Sequence, residues 1–68
     1  MQKFIGSSDA ALEFGRLAGR SIHPSSIVAA AKRGELQGQF TAGGRLLTTA
    51  ADVARFAEQR KLAERRGG

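Results

Sequence analysis

Apolar residues recur at intervals of three and four near the start of the chain, which is the spacing of one helical face. The residues of this first set are Ala11, Phe14, Leu17 and Ala18. They predict a helix over residues 8–18, with Gly19 suited to end it. Ser7 or Ser8 is the expected N-cap, and Asp9 complements the helix dipole in the first turn.

A second helix is predicted to begin at Pro24, because a missing N–H costs nothing in a first turn. The helix continues to Arg33, and its basic end followed by Gly34 is a stop signal. His23 stands directly before the proline, where we interpret it as a structural cap. Two short helices joined by a glycine-containing connector over residues 19–22 are typical of a helix-turn-helix.

The pattern changes to alternation over residues 35–41, where Leu36 and Phe40 fall on one face and polar residues fall on the other. Residues 42–44 supply a turn, because their paired glycines accept the positive φ angles of tight hairpins. Residues 45–48 return as a second strand. The three segments together predict a β-hairpin.

A last helix is predicted to begin after Thr49, an N-cap whose partner in a capping-box-like start is Asp52. Its apolar patch is Val53, Phe56 and Ala57. The sequence then turns highly charged, and Arg60 and Glu64 stand one helical turn apart, so we expect them to support each other. Apolar heptads do not continue, so no long dimerising coiled coil is expected.

The order helix, helix, hairpin, helix predicts an α+β, mostly α fold of the winged helix-turn-helix type, with the hairpin as wing. We expect one domain over residues 1–68, because a chain of this size builds a single core. Residues 1–6 are a lead-in, in which Phe4 and Ile5 form either a brief strand or an apolar anchor, and residues 67–68 are a frayed tail.

Composition narrows the possible functions. The chain has a net charge of +5 and no cysteine, which excludes disulfides, thiol catalysis and cysteine-ligated zinc. No apolar run is long enough to span a bilayer, and the first residues lack a signal peptide, so we expect a cytoplasmic protein.

The sequence supplies no complete catalytic set. His23 is the only histidine, so neither a metal-binding histidine pair nor a Ser/His/Asp triad can be assembled. Asp9 and Glu13 are one turn apart, but such a pair in a first turn complements the helix dipole more often than it serves as an acid/base dyad. Gly43 and Gly44 lack the Lys-Ser/Thr that follows in a phosphate-binding loop. We therefore expect no enzyme, no metal and no cofactor.

Nucleic-acid binding agrees better with the positions of the basic residues. Arg16 and Arg20 flank the predicted connector, Lys32 and Arg33 lie towards the end of the second helix, and Arg45 lies at the hairpin tip. In the second helix Ile27, Ala30 and to a lesser degree Ala31 face inward, which leaves a groove-facing set of Ser25, Ser26, Val28, Ala29 and Lys32. Such small side chains read bases weakly but permit close approach to the major groove.

Three segments carry a family resemblance. They are Pro24-Ser25-Ser26-Ile27, Lys32-Arg33-Gly34-Glu35-Leu36, and Gly43-Gly44-Arg45 followed by residues 49–56. With them, the stretch from Ser8 to Phe56 resembles the excisionase and MerR-like winged-helix DNA-binding domains. The resemblance implies that the second helix enters the major groove and that Arg45 in the wing reaches the adjacent minor groove or its phosphates.

The excisionase branch fits this chain better than the MerR branch, whose members dimerise through a long C-terminal helix and bind an effector. Excisionases are small basic proteins of phages or mobile elements that bend attachment-site DNA in cooperative arrays and direct an integrase towards excision. The predicted DNA contacts are Ser25, Ser26, Ala29 and Lys32 in the major groove, and Arg45, Gly43, Gly44, Arg16, Arg20 and Arg33 in the wing and on the backbone.

We therefore expect a monomeric protein that binds double-stranded DNA, with an integrase and head-to-tail neighbours on DNA as further partners. Two alternatives stay open. The same contacts would serve a small repressor of a phage or plasmid promoter. A different class is a protein-interaction module, which would bind a host or recombinase partner through the exposed helix over residues 49–66.

Overall fold

The computed structural model describes residues 3–67, and side chains over residues 3–64. These residues form three helices and three short strands: β1 (Phe4–Ile5), α1 (Ser7–Ala18), α2 (Pro24–Lys32), β2 (Gln39–Phe40), β3 (Leu46–Thr49) and α3 (Ala50–Gly67). The protein is thus a small, mostly helical α+β domain, as predicted. α3 extends one residue into the segment expected to fray, and Gly68 lies outside the described residues, as do Met1 and Gln2.

The two ends of α1 differ in how well local signals predicted them. The predicted serine cap is wrong, because the carbonyl of Gly6 accepts the first helical hydrogen bond from the N–H of Ala10 at 2.9 Å, which places Ser7 inside the helix. Gly6 is the N-cap and offers no side-chain bond. At the other end Gly19 adopts φ 74° and donates its N–H to the carbonyl of Gly15 at 2.9 Å, which confirms it as the terminator.

The starts of α2 and α3 follow their predicted caps. Nδ1 of His23 accepts a hydrogen bond from the backbone N–H of Ser25 at 3.1 Å, immediately beside the proline at the first helical position. Before α3, Oγ1 of Thr49 accepts from the N–H of Asp52 at 3.1 Å, and the hydroxyl donates to the Asp52 carboxylate at 2.8 Å. Each cap satisfies a backbone donor that would otherwise lack a partner.

The strands form an antiparallel sheet in the order β1-β3-β2. The predicted hairpin is confirmed, but its first strand is shorter than the alternation over residues 35–41 indicated. Glu35 and Leu36 instead donate their N–H groups to the carbonyl of Ala30 at 2.9 and 3.3 Å, so they belong to the end of α2. Leu36 and Phe40, predicted to share one face, differ in burial, because Leu36 is buried and Phe40 is 40% exposed.

The core lies between the three helices and the inner face of the sheet. Its buried apolar residues are Ala10, Ala11, Phe14, Ile27, Ala30, Leu36, Leu46, Val53, Phe56 and Ala57. Phe14 and Phe56 join α1 to α3 through rings whose centroids are 5.4 Å apart. Ile5 packs against the same core, so the lead-in supplies both the brief strand and the apolar anchor offered as alternatives.

We expect Gly38→Ala to lower the free energy of unfolding by about 1–3 kcal/mol, because a Cβ there is overpacked. The added Cβ would lie 3.0 Å from the Leu46 Cδ1 atom and 3.0 Å from the carbonyl oxygen of Leu47. The carbonyl oxygen belongs to the backbone, so no side-chain rotation can relieve that contact. Gly43→Ala is the matched control, since its nearest neighbour would be the Thr41 hydroxyl at 3.8 Å. Urea unfolding of both variants measures the difference, and equal losses would contradict the close packing at Gly38.

Among the residues that the structure describes, no helix is both long and apolar enough to cross a membrane.

Candidate nucleic-acid interface

The exposed side of α2 carries the residues assigned to the major groove. Ser25, Ser26 and Lys32 are exposed, and Ala29 is half-buried. Ile27 and Ala30 are buried, as their spacing predicted. Val28 is a correction, because it is partly buried against the core rather than free on the outer face.

The first turn of α2 is held by its histidine. The Ser25 hydroxyl lies 2.8 Å from Nδ1 of His23, which also accepts the Ser25 N–H at 3.1 Å. With Nδ1 as acceptor, the neutral ring carries its hydrogen on Nε2. His23 therefore fixes the position of Ser25, a predicted DNA contact.

Arg45 directly follows the hairpin turn and lies opposite Thr41. The N–H of Thr41 donates to the Arg45 carbonyl at 2.8 Å, and the Arg45 N–H donates to the Thr41 hydroxyl oxygen at 3.1 Å. The tip itself is Ala42, Gly43 and Gly44, and Gly44 adopts φ 84°. Arg45 is therefore not at the tip, as predicted, but one residue after it, and the two hydrogen bonds connect it to Thr41 across the turn.

A cleft of about 530 Å³ brings the hairpin together with two helices. Its walls include Arg45 and Leu47 from the hairpin, Val28 from α2 and the segment over residues 6–9 at the start of α1. The sequence treated that segment only as a helix cap. No local signal marks it as a neighbour of the hairpin, because the proximity depends on the pairing of β1 with β3.

Three of the arginines assigned to DNA contact carboxylates within the chain. Arg16 pairs with Glu13, Arg20 with Glu64, and Arg33 with Glu35. A hydrogen bond to Glu13 raises the pKa of Arg16, and the charge of the same carboxylate adds to it. A hydrogen bond from Arg33 lowers the pKa of Glu35. In these three arginines a carboxylate already neutralises part of the charge that a phosphate would meet.

Two arginines also lie against the aromatic rings of the core. The guanidinium carbon of Arg20 is 6.0 Å from the centroid of Phe14, and that of Arg60 is 5.8 Å from the centroid of Phe56. The predicted pair of Arg60 with Glu64 is wrong: Glu64 contacts Arg20, and Arg60 lies 4.0 Å from Glu35. Tertiary contacts thus replace the expected pair along one helix.

Lys32 and Arg45 differ from these arginines, because neither forms an ion pair with any side chain that the structure describes. Both are exposed, one near the end of α2 and the other in the hairpin. Of the cations predicted to contact DNA, these two therefore have no competing carboxylate among the described residues.

Over the described residues, no cluster of three or more metal-ligating side chains occurs. Comparison with models of protein families, with curated proteins and with solved structures finds no match for this chain.

Proposed function

We propose that the protein binds double-stranded DNA as a winged helix-turn-helix, with α2 in the major groove and the hairpin as the wing. The observation that carries the proposal is the cleft lined by both Val28 and Arg45, because it sets the hairpin beside α2. Ser25, Val28 and Lys32 follow one another at intervals of three and four, so they form one stripe along α2 on the side of that cleft.

The chemistry of this surface supports contact with the DNA backbone more than reading of sequence. Ser25 and Ser26 offer short hydroxyls that bond to several base edges, and Ala29 meets only a thymine methyl. Lys32 and Arg45 supply charge for phosphates on either side, and the exposed glycines of the turn allow it to approach the minor groove closely. Modest sequence specificity follows.

Within that class we propose an architectural factor, namely an excisionase that bends attachment-site DNA beside an integrase. The support is the resemblance of Ser8 to Phe56, together with a net charge of +5 in 68 residues. On this proposal the protein acts at the nucleoid by binding alone, without catalysis. A phage or plasmid repressor would use the same contacts, and bending of attachment-site DNA by several bound copies separates the excisionase from it.

The test is a fluorescence-anisotropy titration of a duplex of about 25 bp at several salt concentrations, because each neutralised phosphate adds about −0.9 to the log–log slope. If Lys32 and Arg45 each neutralise one phosphate, the slope is about −1.8. If the three ion-paired arginines also neutralise one phosphate each, the slope is about −4.5. No binding at low salt would overturn the proposal.

That negative result would favour the second candidate, a protein-interaction module. The observation in its support is that α3 leaves the core after Ala57, and that every residue over 58–64 is exposed, Leu62 among them. Such a half-helix offers an apolar side chain within a charged surface.

A further inference from the structure

An exposed leucine on α1 stands beside a groove other than the cleft between α2 and the hairpin. Leu12 is 74% exposed, the most of any large apolar residue among those described. It lies at the edge of a groove of about 720 Å³ between α1 and the connector, whose other walls include Ala11, Gly15, Ile22 and Pro24. The lining is mostly small or apolar, and a leucine on a second molecule would find apolar contacts in it.

The charges around Leu12 have the arrangement that a second copy of the same helix would complement. Asp9 precedes Leu12 by three residues and Arg16 follows it by four, so both lie on the same flank of the helix. In an antiparallel pair with its two-fold axis between residues 12 and 13, the constant rise of about 1.5 Å per residue sets Asp9 of one copy level with Arg16 of the other. Two such pairs form at once, because an isologous contact repeats every interaction.

The structure leaves room for this contact. Asp9 and Arg16 are exposed, and the only pairing of either in the described residues is the contact of Arg16 with Glu13 on its own helix. On the opposite flank Ser8 and Gly15 carry little or no side chain, so the second helix can approach closely there. Leu12 of each copy then enters the groove of the other.

We propose that the protein forms a two-fold symmetric dimer through α1, with Leu12 at its centre and an Asp9–Arg16 ion pair on each side of the axis. One helix of 12 residues makes a small interface, so we expect weak dimerisation. The sequence predicted a monomer with head-to-tail neighbours on DNA, and a two-fold symmetric dimer differs from both. It forms without DNA, because the hairpin takes no part in it and α2 contributes only Pro24, its first residue.

Sedimentation equilibrium without DNA, from low micromolar to millimolar protein, tests the dimer. We expect Leu12→Ser to weaken association at least tenfold, and the matched variant Leu62→Ser, which alters the exposed leucine of α3, to leave it unchanged. Both positions are exposed, and circular dichroism verifies that both variants are folded. A monomeric wild type over the whole range, or an equal effect of the two serine variants, would overturn the proposal.

A charge exchange tests the predicted register. Asp9→Arg and Arg16→Glu each place like charges opposite one another twice in the dimer, so each variant should weaken association several-fold. The double variant restores opposite charges across the axis and should recover the wild-type constant. A double variant no better than either single variant would show that these two residues do not face each other.

Discussion

Phe14→Ala should remove most of the protein's stability at room temperature, the largest loss of stability that we expect from one substitution. Phe14 is 0% exposed and packs on Phe56. The guanidinium carbon of Arg20 lies 6.0 Å from the centroid of the Phe14 ring. Truncation of a buried phenylalanine costs about 3–5 kcal/mol through lost transfer energy and the cavity left behind. Small domains have total stabilities near the low end of about 5–15 kcal/mol, so little would remain.

Urea unfolding monitored by circular dichroism measures this effect. Leu12→Ala is the matched control, because it removes an apolar side chain from the same helix at an exposed position. We expect the control to unfold within about 0.5 kcal/mol of the wild type, as surface substitutions usually do. A Phe14→Ala protein that unfolds cooperatively near the wild-type midpoint would contradict the central place of this ring in the core.

The joint replacement of Lys32 and Arg45 by alanine should have the largest effect on DNA affinity. If each contacts one phosphate, the salt slope becomes shallower by about 1.8 and affinity at 0.1 M salt falls roughly 60-fold. The same anisotropy titration measures both quantities. Because the two residues form no ion pair within the described part of the chain, their removal leaves no carboxylate without its partner.

The matched control is the joint replacement of Arg55 and Lys61 by alanine. These are exposed cations of α3 that likewise make no ion pair within the described part of the chain. Both double variants remove two positive charges, so each lowers the net charge of +5 by the same amount. Equal losses of affinity in the two double variants would mean that net charge alone drives binding, and the assigned interface would be wrong. A loss confined to Lys32 and Arg45 supports the stripe of α2 and the hairpin as the DNA-binding surface.

The salt slope of DNA binding by the wild-type protein also shows whether Arg16, Arg20 and Arg33 contact phosphates despite their ion pairs. Exposed pairs of this kind are weak, because water and salt screen both charges, so a phosphate can compete with the carboxylate. Their carboxylates therefore reduce the contribution of these arginines without abolishing it. A dimer through α1 would engage Arg16 further, and would reduce the number of phosphates that each copy neutralises.

Signals within four residues of each other were sufficient to predict the helices and the hairpin. His23 and Pro24 start α2, Thr49 and Asp52 start α3, and Gly19 ends α1, all as the sequence indicated. Spacing also predicted most of the inward faces of α1 and α2, but it missed the burial of Ala10 and the partial burial of Val28. Helix caps, turns and amphipathic faces depend on neighbours along the chain, so local order is enough to recognise them.

Contacts between distant residues decided the rest. The pairing of Ile5 with Thr48 brought the start of α1 to the hairpin, and Arg20 found Glu64, 44 residues away. The same packing drew Glu35 and Leu36 to the end of α2, although their alternation indicated a strand. The spacing of charged residues along a helix shows which side chains could form ion pairs. Which of them do so depends on how the helices and strands pack. Amino-acid order thus determined the elements and their charges, and the three-dimensional packing determined which cations remain unpaired around the cleft.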